Sequence, residues 1–153
     1  MLQPIENSID LLRTLRRKLG PDRLPLIIGI DGRWGAGKSS LASWLAWQLG
    51  MPSVHLDLYI ERDSAPLSWR YEDLTRIIGA RLVLARPIIV EGICLCQPLQ
   101  AIDRDPDYWV WVENLGGPKS GPCDPTGYYV AEFHPEANAD FTLTWKQPEV
   151  GFR

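Results

Sequence analysis

The stretch of sequence that decides the fold is the apolar segment Leu24-Pro25-Leu26-Ile27-Ile28-Gly29-Ile30 followed, after Asp31, by the loop Gly32-Arg33-Trp34-Gly35-Ala36-Gly37-Lys38-Ser39. The apolar run is typical of a strand buried on both faces of a parallel sheet. From Lys38 to Leu49, leucines recur every four residues, which predicts a helix. The loop matches the pattern G-x-x-x-x-G-K-[ST] of a phosphate-binding loop (P-loop), in the strand-to-helix context that this motif requires.

The residue types in this loop suit a phosphate ligand. Its glycines let the backbone turn sharply and present N–H groups as an anion-binding concavity. Lys38 can reach the β- and γ-phosphates of a nucleotide, and the Ser39 hydroxyl can ligate Mg²⁺. A glycine-rich turn with an incidental Lys-Ser is the alternative. We predict that ATP and Mg²⁺ are bound here, with cofactor-binding residues Gly32, Arg33, Trp34, Gly35, Ala36, Gly37, Lys38, Ser39 and Ser40. Trp34 either lies over the nucleotide or caps neighbouring side chains.

The rest of the chain alternates between helical and strand patterns. Helices are predicted over residues 5–19, 69–84 and 97–103, and strands over residues 53–58, 87–93, 108–112 and 141–145. Nearly apolar strands that alternate with helices favour right-handed crossovers and a sheet covered on both faces. We therefore predict an α/β fold, a three-layer αβα P-loop sandwich with a five-stranded, mainly parallel sheet. It is expected to be a single domain over residues 1–153, with an N-terminal helix within residues 1–20.

The composition limits the function classes. A length of 153 residues suits one domain. The formal net charge of −3 shows no overall excess of basic residues of the kind that binds nucleic acid. The sequence has no apolar run of about 18 residues, so no membrane span is predicted. The N-terminus lacks the pattern of a secretory signal. Three cysteines, an odd number, indicate free thiols in a reducing compartment. We expect a cytoplasmic protein without nucleic-acid or membrane partners. The apolar face of the N-terminal helix packs either on the sheet or on a second subunit.

Two carboxylates follow predicted strands, namely Asp57 after residues 54–56 and Glu91 after residues 88–90. Because ligands bind beyond the carboxyl ends of parallel strands, both are expected at the same edge as the P-loop. We predict that Ser39, Asp57 and Glu91 hold Mg²⁺ and that one carboxylate orients or deprotonates an acceptor hydroxyl. Lys38, Asp57 and Glu91 are thus the candidate catalytic residues. Alternatively, Asp57 caps a loop and Glu91 is a solvated charge at a strand end.

Residues 25 to 93 resemble the uridine kinase-like family of P-loop kinases, which includes phosphoribulokinase and pantothenate kinase relatives. The resemblance rests on Ile28-Gly29-Ile30-Asp31-Gly32 into Gly35-Ala36-Gly37-Lys38-Ser39-Ser40, on His55-Leu56-Asp57-Leu58-Tyr59, and on Ile88-Ile89-Val90-Glu91-Gly92-Ile93. A weaker similarity to the family is found at Ala139-Asp140-Phe141, at the start of the last predicted strand.

The resemblance implies roles for several side chains. It implies that Asp57 lies between Mg²⁺ and the acceptor hydroxyl and that Glu91 helps to hold the metal. It also implies an acceptor pocket near Tyr59, with Trp69 and Arg70 as weaker candidates. For Trp69, packing at a helix start is the alternative.

The chain departs from this family after its fourth strand, where family members carry an arginine-rich lid helix. Residues 114–127 are instead crowded with Gly, Pro and Ser, and we predict a flexible, truncated lid there. Lys119 is the only Lys or Arg between Arg104 and Lys146, and it is a weak candidate for a substrate contact. The family also usually follows its Asp with Phe-Tyr, where this chain has Leu58-Tyr59.

Three functions fit these patterns. The first is a Mg²⁺-dependent kinase that transfers the γ-phosphate of ATP to a hydroxyl of a nucleoside- or sugar-like acceptor. The second is a nucleotide-binding module that acts as a sensor or partner subunit, which the sparse lid favours. The third is a simple ATPase; no Asn-Lys-x-Asp segment indicates a guanine-specific GTPase.

Overall fold

Apolar segments form a five-stranded sheet in the computed structural model, which describes residues 2–63, 65–117 and 124–148. The strands are β1 (Ile27–Gly32), β2 (Ser53–His55), β3 (Ile88–Glu91), β4 (Tyr108–Asn114) and β5 (Phe141–Trp145). They run parallel in the order β2-β3-β1-β4-β5. Every residue of β1 and β3 is buried, which explains why their sequences are almost continuously apolar.

Helices cover both faces of this sheet. In the described ranges they are α1 (Ser8–Leu19), α2 (Lys38–Leu49), α3 (Tyr71–Leu82), α4 (Cys96–Ala101), α5 (Thr126–Phe133) and α6 (Pro135–Asn138). Helices α1 and α2 share one core cluster with Ile28 and Val110 of the sheet, whereas α3, α4 and α5 share the other with Ile27 and Trp109. The predicted three-layer α/β sandwich is confirmed, and the sheet is wholly parallel.

The apolar face of α1 packs within the chain itself. Leu11, Leu12 and Leu15 are at most 1% exposed and belong to the same core cluster as α2. Full burial of a leucine contributes roughly 1.5–3 kcal/mol. Of the two alternatives for this face, packing on the sheet is therefore the one observed.

The strand predicted over residues 53–58 is too long. Strand β2 ends at His55, and a 3₁₀ helix, Leu56–Tyr59, follows it. The prediction that Asp57 ends the strand is thus wrong, because the chain turns before this residue. The 3₁₀ turn nevertheless keeps Asp57 at the carboxyl edge of the sheet.

Helices α5 and α6 were not predicted from the sequence. Helix α5 has only eight residues and contains Gly127, so its local propensity is low. Its stability comes from burial of Tyr129, which is 0% exposed in the core. Residues 118–123, with Lys119 and much of the predicted lid, lie outside the described residues.

Within the ranges that the structure describes, no helix combines the length and the apolar character needed to cross a membrane. Cys94 and Cys96 are free, buried thiols. Burial raises the pKa of each thiol to about 12, so both stay protonated near neutral pH.

The packing around the central strand β1 can be tested at Gly29. A Cβ atom at Gly29 of β1 would lie 2.4 Å from Leu95 Cδ2 and 2.9 Å from Pro106 Cβ. We expect Gly29→Ala to lower the free energy of unfolding by about 1–3 kcal/mol, because it overpacks a buried strand. Urea denaturation measures this change.

Gly79→Ala in α3 is the matched control, since a Cβ there meets nothing within 4 Å. It replaces glycine inside a helix and should raise stability by about 0.5–1 kcal/mol. Equal effects of the two substitutions would contradict the close approach of Leu95 and Pro106 to β1.

Candidate functional site

A cleft lies at the carboxyl edge of the sheet, beside the P-loop. Its volume is about 450 Å³, and its lining residues are Trp34, Gly35, Lys38, Ser39, Asp57, Ile60, Glu91, Gly92 and Ile93. The residues predicted for catalysis and metal binding therefore line one cleft, although they come from three separate segments. This is the edge at which parallel α/β sheets bind ligands.

The P-loop is held from outside by two neighbouring strands. Asn114 Nδ2 at the end of β4 donates to the Gly35 carbonyl at 3.1 Å, and Trp145 Nε1 at the end of β5 donates to the Ala36 carbonyl at 2.8 Å. In a trans peptide the N–H points opposite to the carbonyl. The hydrogen bond to the Ala36 carbonyl thus directs the Gly37 N–H away from Trp145. The backbone orientation of the loop is therefore fixed.

Gly37 joins the loop to α2 and has to be glycine for two reasons. Its φ of +90° is in the left-handed region, and a Cβ atom there would lie 2.8 Å from Ile5 Cδ1. Helix α2 begins at the next residue and has no acidic side chain in its first turn. The helix itself therefore leaves its first N–H groups and its positive dipole end without a carboxylate from its own first turn, which favours an anion.

Lys38 is 8% exposed, and its Nζ donates to the Arg33 carbonyl at 2.7 Å. Burial lowers the pKa of Lys38, while the negative charges of Glu91, Asp31 and Asp57 act in the opposite direction. A phosphate oxygen is a stronger acceptor for an ammonium group than a neutral carbonyl. The side chain is thus held next to the loop with an acceptor that a phosphate can replace.

Glu91 is the centre of a polar chain across the cleft. It is 2% exposed, and its Oε1 accepts from Ser39 Oγ at 3.0 Å and from His55 Nδ1 at 2.6 Å. Since an ionised carboxylate only accepts, His55 donates through Nδ1, and its Nε2 can accept from Ser53 Oγ at 3.2 Å. His55 of β2 thus orients the Glu91 carboxylate. Because Glu91 is buried, the alternative interpretation, in which it is a solvated charge at a strand end, is wrong.

His55 was not among the predicted site residues. The sequence signal for it was its place at the end of a strand, two residues before Asp57. Asp57 itself is exposed and contributes to the cleft from the first turn of the 3₁₀ helix. This position leaves its carboxylate accessible to a second molecule in the cleft.

A buried carboxylate, Asp31, lies directly before the P-loop and was also missed. It is 0% exposed and accepts from Tyr129 Oη at 2.5 Å, Gly32 N at 2.9 Å, Trp109 Nε1 at 3.1 Å and Leu95 N at 3.4 Å. Burial raises the pKa of Asp31 to about 6, although these four bonds favour the charged form. Its only signal in the sequence is a charged residue at the end of an apolar strand.

The predicted acceptor residues lie outside the lining of the cleft. Trp69 is 2% exposed in the core, which favours its packing role. The Arg70 guanidinium lies 5.4 Å from the ring centre of Tyr59, and Arg70 Nη2 donates to the Leu58 carbonyl at 2.8 Å. Trp34 does line the cleft and is 60% exposed.

Helix α5 lies where the chain returns to the P-loop. Arg33 Nη1 donates to Thr126 Oγ1 at 3.4 Å, and Thr126 is itself bound to Asp124 Oδ1 at 2.6 Å. The eight residues of α5 contain no Lys or Arg. This helix therefore contacts the loop without bringing positive charge to it.

The parallel sheet, with a glycine loop between β1 and α2, defines an α/β fold of the P-loop type. A solved structure described as a possible uridine kinase from Bacillus stearothermophilus is similar, with a TM-score of 0.62 over 90% of this chain and 97% of that one. The two sequences are 18% identical, so the likeness shows the fold alone. No protein-family model and no curated protein matches the chain.

The hydrogen bond from Tyr129 to Asp31 is testable through Tyr129→Phe. The change removes a donor from a buried carboxylate and leaves the Cys96 N–H, which donates to Tyr129 Oη at 3.2 Å, without this partner. We expect the free energy of unfolding to fall by about 1.5–3 kcal/mol at pH 8, measured by urea denaturation. Tyr128→Phe is the control, because Tyr128 is 85% exposed and its substitution should cost less than about 0.5 kcal/mol.

The same variant has a defined pH dependence. The pKa of Asp31 is raised from 3.8 to about 6, so folding takes up a proton between these values and this group's stabilisation is lost as the pH rises through 6. Tyr129 stabilises the charged form, so the loss in Tyr129→Phe should be larger at pH 8 than at pH 5. The same loss at both pH values would mean that Asp31 does not titrate in this range.

Proposed function

We propose that the chain is a Mg²⁺-dependent phosphotransferase that moves the γ-phosphate of ATP to a hydroxyl of a nucleoside- or sugar-like small molecule. The observation that carries this proposal is the convergence of Lys38, Ser39, Asp57 and Glu91 in one cleft beside the P-loop. A loop that only binds phosphate does not need two carboxylates at the same edge.

The backbone of the P-loop fits a nucleotide phosphate. The start of α2 supplies free N–H groups, Gly37 lets the backbone come close, and Lys38 provides a charged donor. A site of about 450 Å³ is within the size range of small-molecule pockets. These groups contact the phosphates and not the base of a nucleotide. The identity of the base as adenine is therefore part of the proposal.

The donor set also fits Mg²⁺. Ser39 Oγ and Glu91 Oε1 lie 3.0 Å apart, so a hydroxyl and a carboxylate oxygen are side by side, and Asp57 lines the same cleft. Mg²⁺ prefers oxygen ligands and keeps several waters, so it does not require a protein cage. In the described parts of the chain no group of three or more His, Cys, Asp or Glu side chains suited to a metal occurs, so the proposed site relies on the Ser39 hydroxyl and two carboxylates. When bound, Mg²⁺ would offset charge on the phosphates.

In the proposed transfer, Asp57 receives the proton of the acceptor hydroxyl as the acceptor oxygen bonds to the γ-phosphorus. The bond between that phosphorus and the bridging oxygen breaks, and ADP leaves with the bonding electrons. Lys38 and the loop N–H groups stabilise the phosphoryl charge throughout. His55 keeps Glu91 next to Ser39, so the metal-binding oxygens do not have to be arranged when substrate arrives.

A second function is favoured by the lack of positive charge on α5. The described residues between β4 and β5 contain no Lys or Arg, whereas transferred phosphoryl groups are usually neutralised by cations. A nucleotide-binding module, acting as a sensor or partner subunit, would need the P-loop but not this charge. Acceptor-dependent ADP release distinguishes the kinase from this module and from a simple ATPase, which releases ADP without acceptor.

The nucleotide site is tested by Lys38→Ala. Loss of one charged hydrogen bond should weaken ATP binding by about 10- to 100-fold in calorimetric titration with Mg²⁺. Lys18→Ala is the control, because Lys18 is an exposed cation in the last turn of α1. An unchanged ATP affinity in a folded Lys38→Ala protein would refute the P-loop assignment.

The transfer step is tested by Asp57→Asn. The amide cannot accept the proton, so we expect ADP release with an acceptor to fall by about 10²-fold or more while ATP still binds. Acceptors are screened as nucleosides, sugars and small alcohols. Asp10→Asn, at an exposed carboxylate that pairs with Arg13, is the control. If turnover survives in Asp57→Asn but not in Lys38→Ala, Asp57 is structural.

A further inference from the structure

A second cavity of about 350 Å³ lies at the opposite edge of the sheet. Its lining includes Arg23, Arg81, Arg86, Asp22 and Gly50, and we name it the arginine pocket. The three arginines come from the loop before β1, the last turn of α3 and the loop before β3. The fold thus brings three guanidinium groups together from three separate places in the sequence.

The arginine pocket is distinct from the P-loop cleft. Gly50 caps the carboxyl end of α2, whereas the P-loop is at its amino end. A helix of 12 residues is about 18 Å long. The two sites share no lining residue.

The charges of the arginine pocket are not balanced by the protein. Asp22 is the one carboxylate among its lining residues, and none of the three arginines forms a salt bridge with any described residue. Arg81 Nε donates to the Pro87 carbonyl at 2.9 Å. Arg23 Nη2 is buried and, within the described chain, has no hydrogen-bond partner. An arginine offers five N–H donors, so most of these donors bind no other described group of the protein, and those of Arg86 are open to solvent.

The arginines also act on one another. The pKa of Arg81 is lowered by burial first and then by the positive charges of Arg86 and Arg23. Since arginine stays protonated in proteins, this repulsion is present in the folded chain. A bound anion would remove the repulsion and supply acceptors for the unused donors.

Stabilisation of helix ends does not account for this arrangement. A cation in the last turn of a helix interacts favourably with the negative dipole end, and Arg81 has such a place in α3. Arg23 and Arg86 lie in loops that precede strands and not in the last turn of a helix, although Gly50 places the carboxyl end of α2 beside them. Their convergence with Arg81 needs a separate reason.

We infer that the arginine pocket is a second anion-binding site, which takes the phosphate group of a small molecule. Planar guanidinium groups bind phosphate through pairs of parallel hydrogen bonds, and several of them suit a doubly charged oxyanion. The cavity is at the lower end of the range for small-molecule pockets, which suits a compact phosphate monoester.

The probe for this site is inorganic phosphate, titrated calorimetrically at pH 8 with the ionic strength held constant by chloride. Because the P-loop also attracts phosphate, the titrations use Lys38→Ala as the background. We expect this protein to bind phosphate, and addition of Arg86→Gln to weaken the binding by about tenfold or more. Arg23→Gln in the same background should give a similar loss.

Arg76→Gln is the matched control, since Arg76 is an exposed arginine of α3 that pairs with Glu72 at 3.4 Å. It should leave phosphate affinity unchanged. The inference is overturned if Lys38→Ala does not bind phosphate, if Arg86→Gln and Arg23→Gln both keep its affinity, or if Arg76→Gln loses as much as they do. None of these results bears on ATP binding by the P-loop, so failure here is distinguishable from failure of the proposed function.

Discussion

The buried carboxylate of Asp31 is the constraint on which the arrangement of the sheet edge with the P-loop depends. It accepts hydrogen bonds from the last residue of β1, the turn before α4, a side chain of β4 and a side chain of α5. A buried charge without partners is costly, so each of these four segments is held in the position that satisfies it. The P-loop begins at the next residue and therefore starts from a fixed point.

The groups of the cleft are oriented before any ligand binds. Asn114 and Trp145 fix the carbonyls of the P-loop, while His55 and Ser39 share one oxygen of Glu91. Each of these contacts involves at least one residue at the carboxyl end of a strand, which is where a parallel sheet gathers polar residues. A ligand that binds here then does not have to order these groups, which is the advantage of preorganisation in catalysis.

The sequence predicted the sheet and the position of Glu91 because both depend on local patterns. Apolar runs indicate buried parallel strands, and the spacing of glycines with Lys38 indicates a P-loop. Helix α5 could not be predicted, because it depends on burying Tyr129 against Asp31, a contact between residues 98 positions apart in the chain. His55 was missed for a similar reason, since its partner Glu91 is 36 residues away. Pattern reasoning recovers what periodicity determines and misses side-chain pairs formed by tertiary packing.

The polarity of the parallel sheet also accounts for the difference in kind between the two anion sites that we propose. At the carboxyl edge, phosphate is attracted by backbone N–H groups and by the amino end of α2, with Lys38 as a single cation. At the amino edge, helices present their negative ends, so backbone groups cannot attract an anion and side-chain charge has to do so. Three arginines in the arginine pocket meet that requirement, which agrees with the proposal that the pocket takes a doubly charged phosphate group.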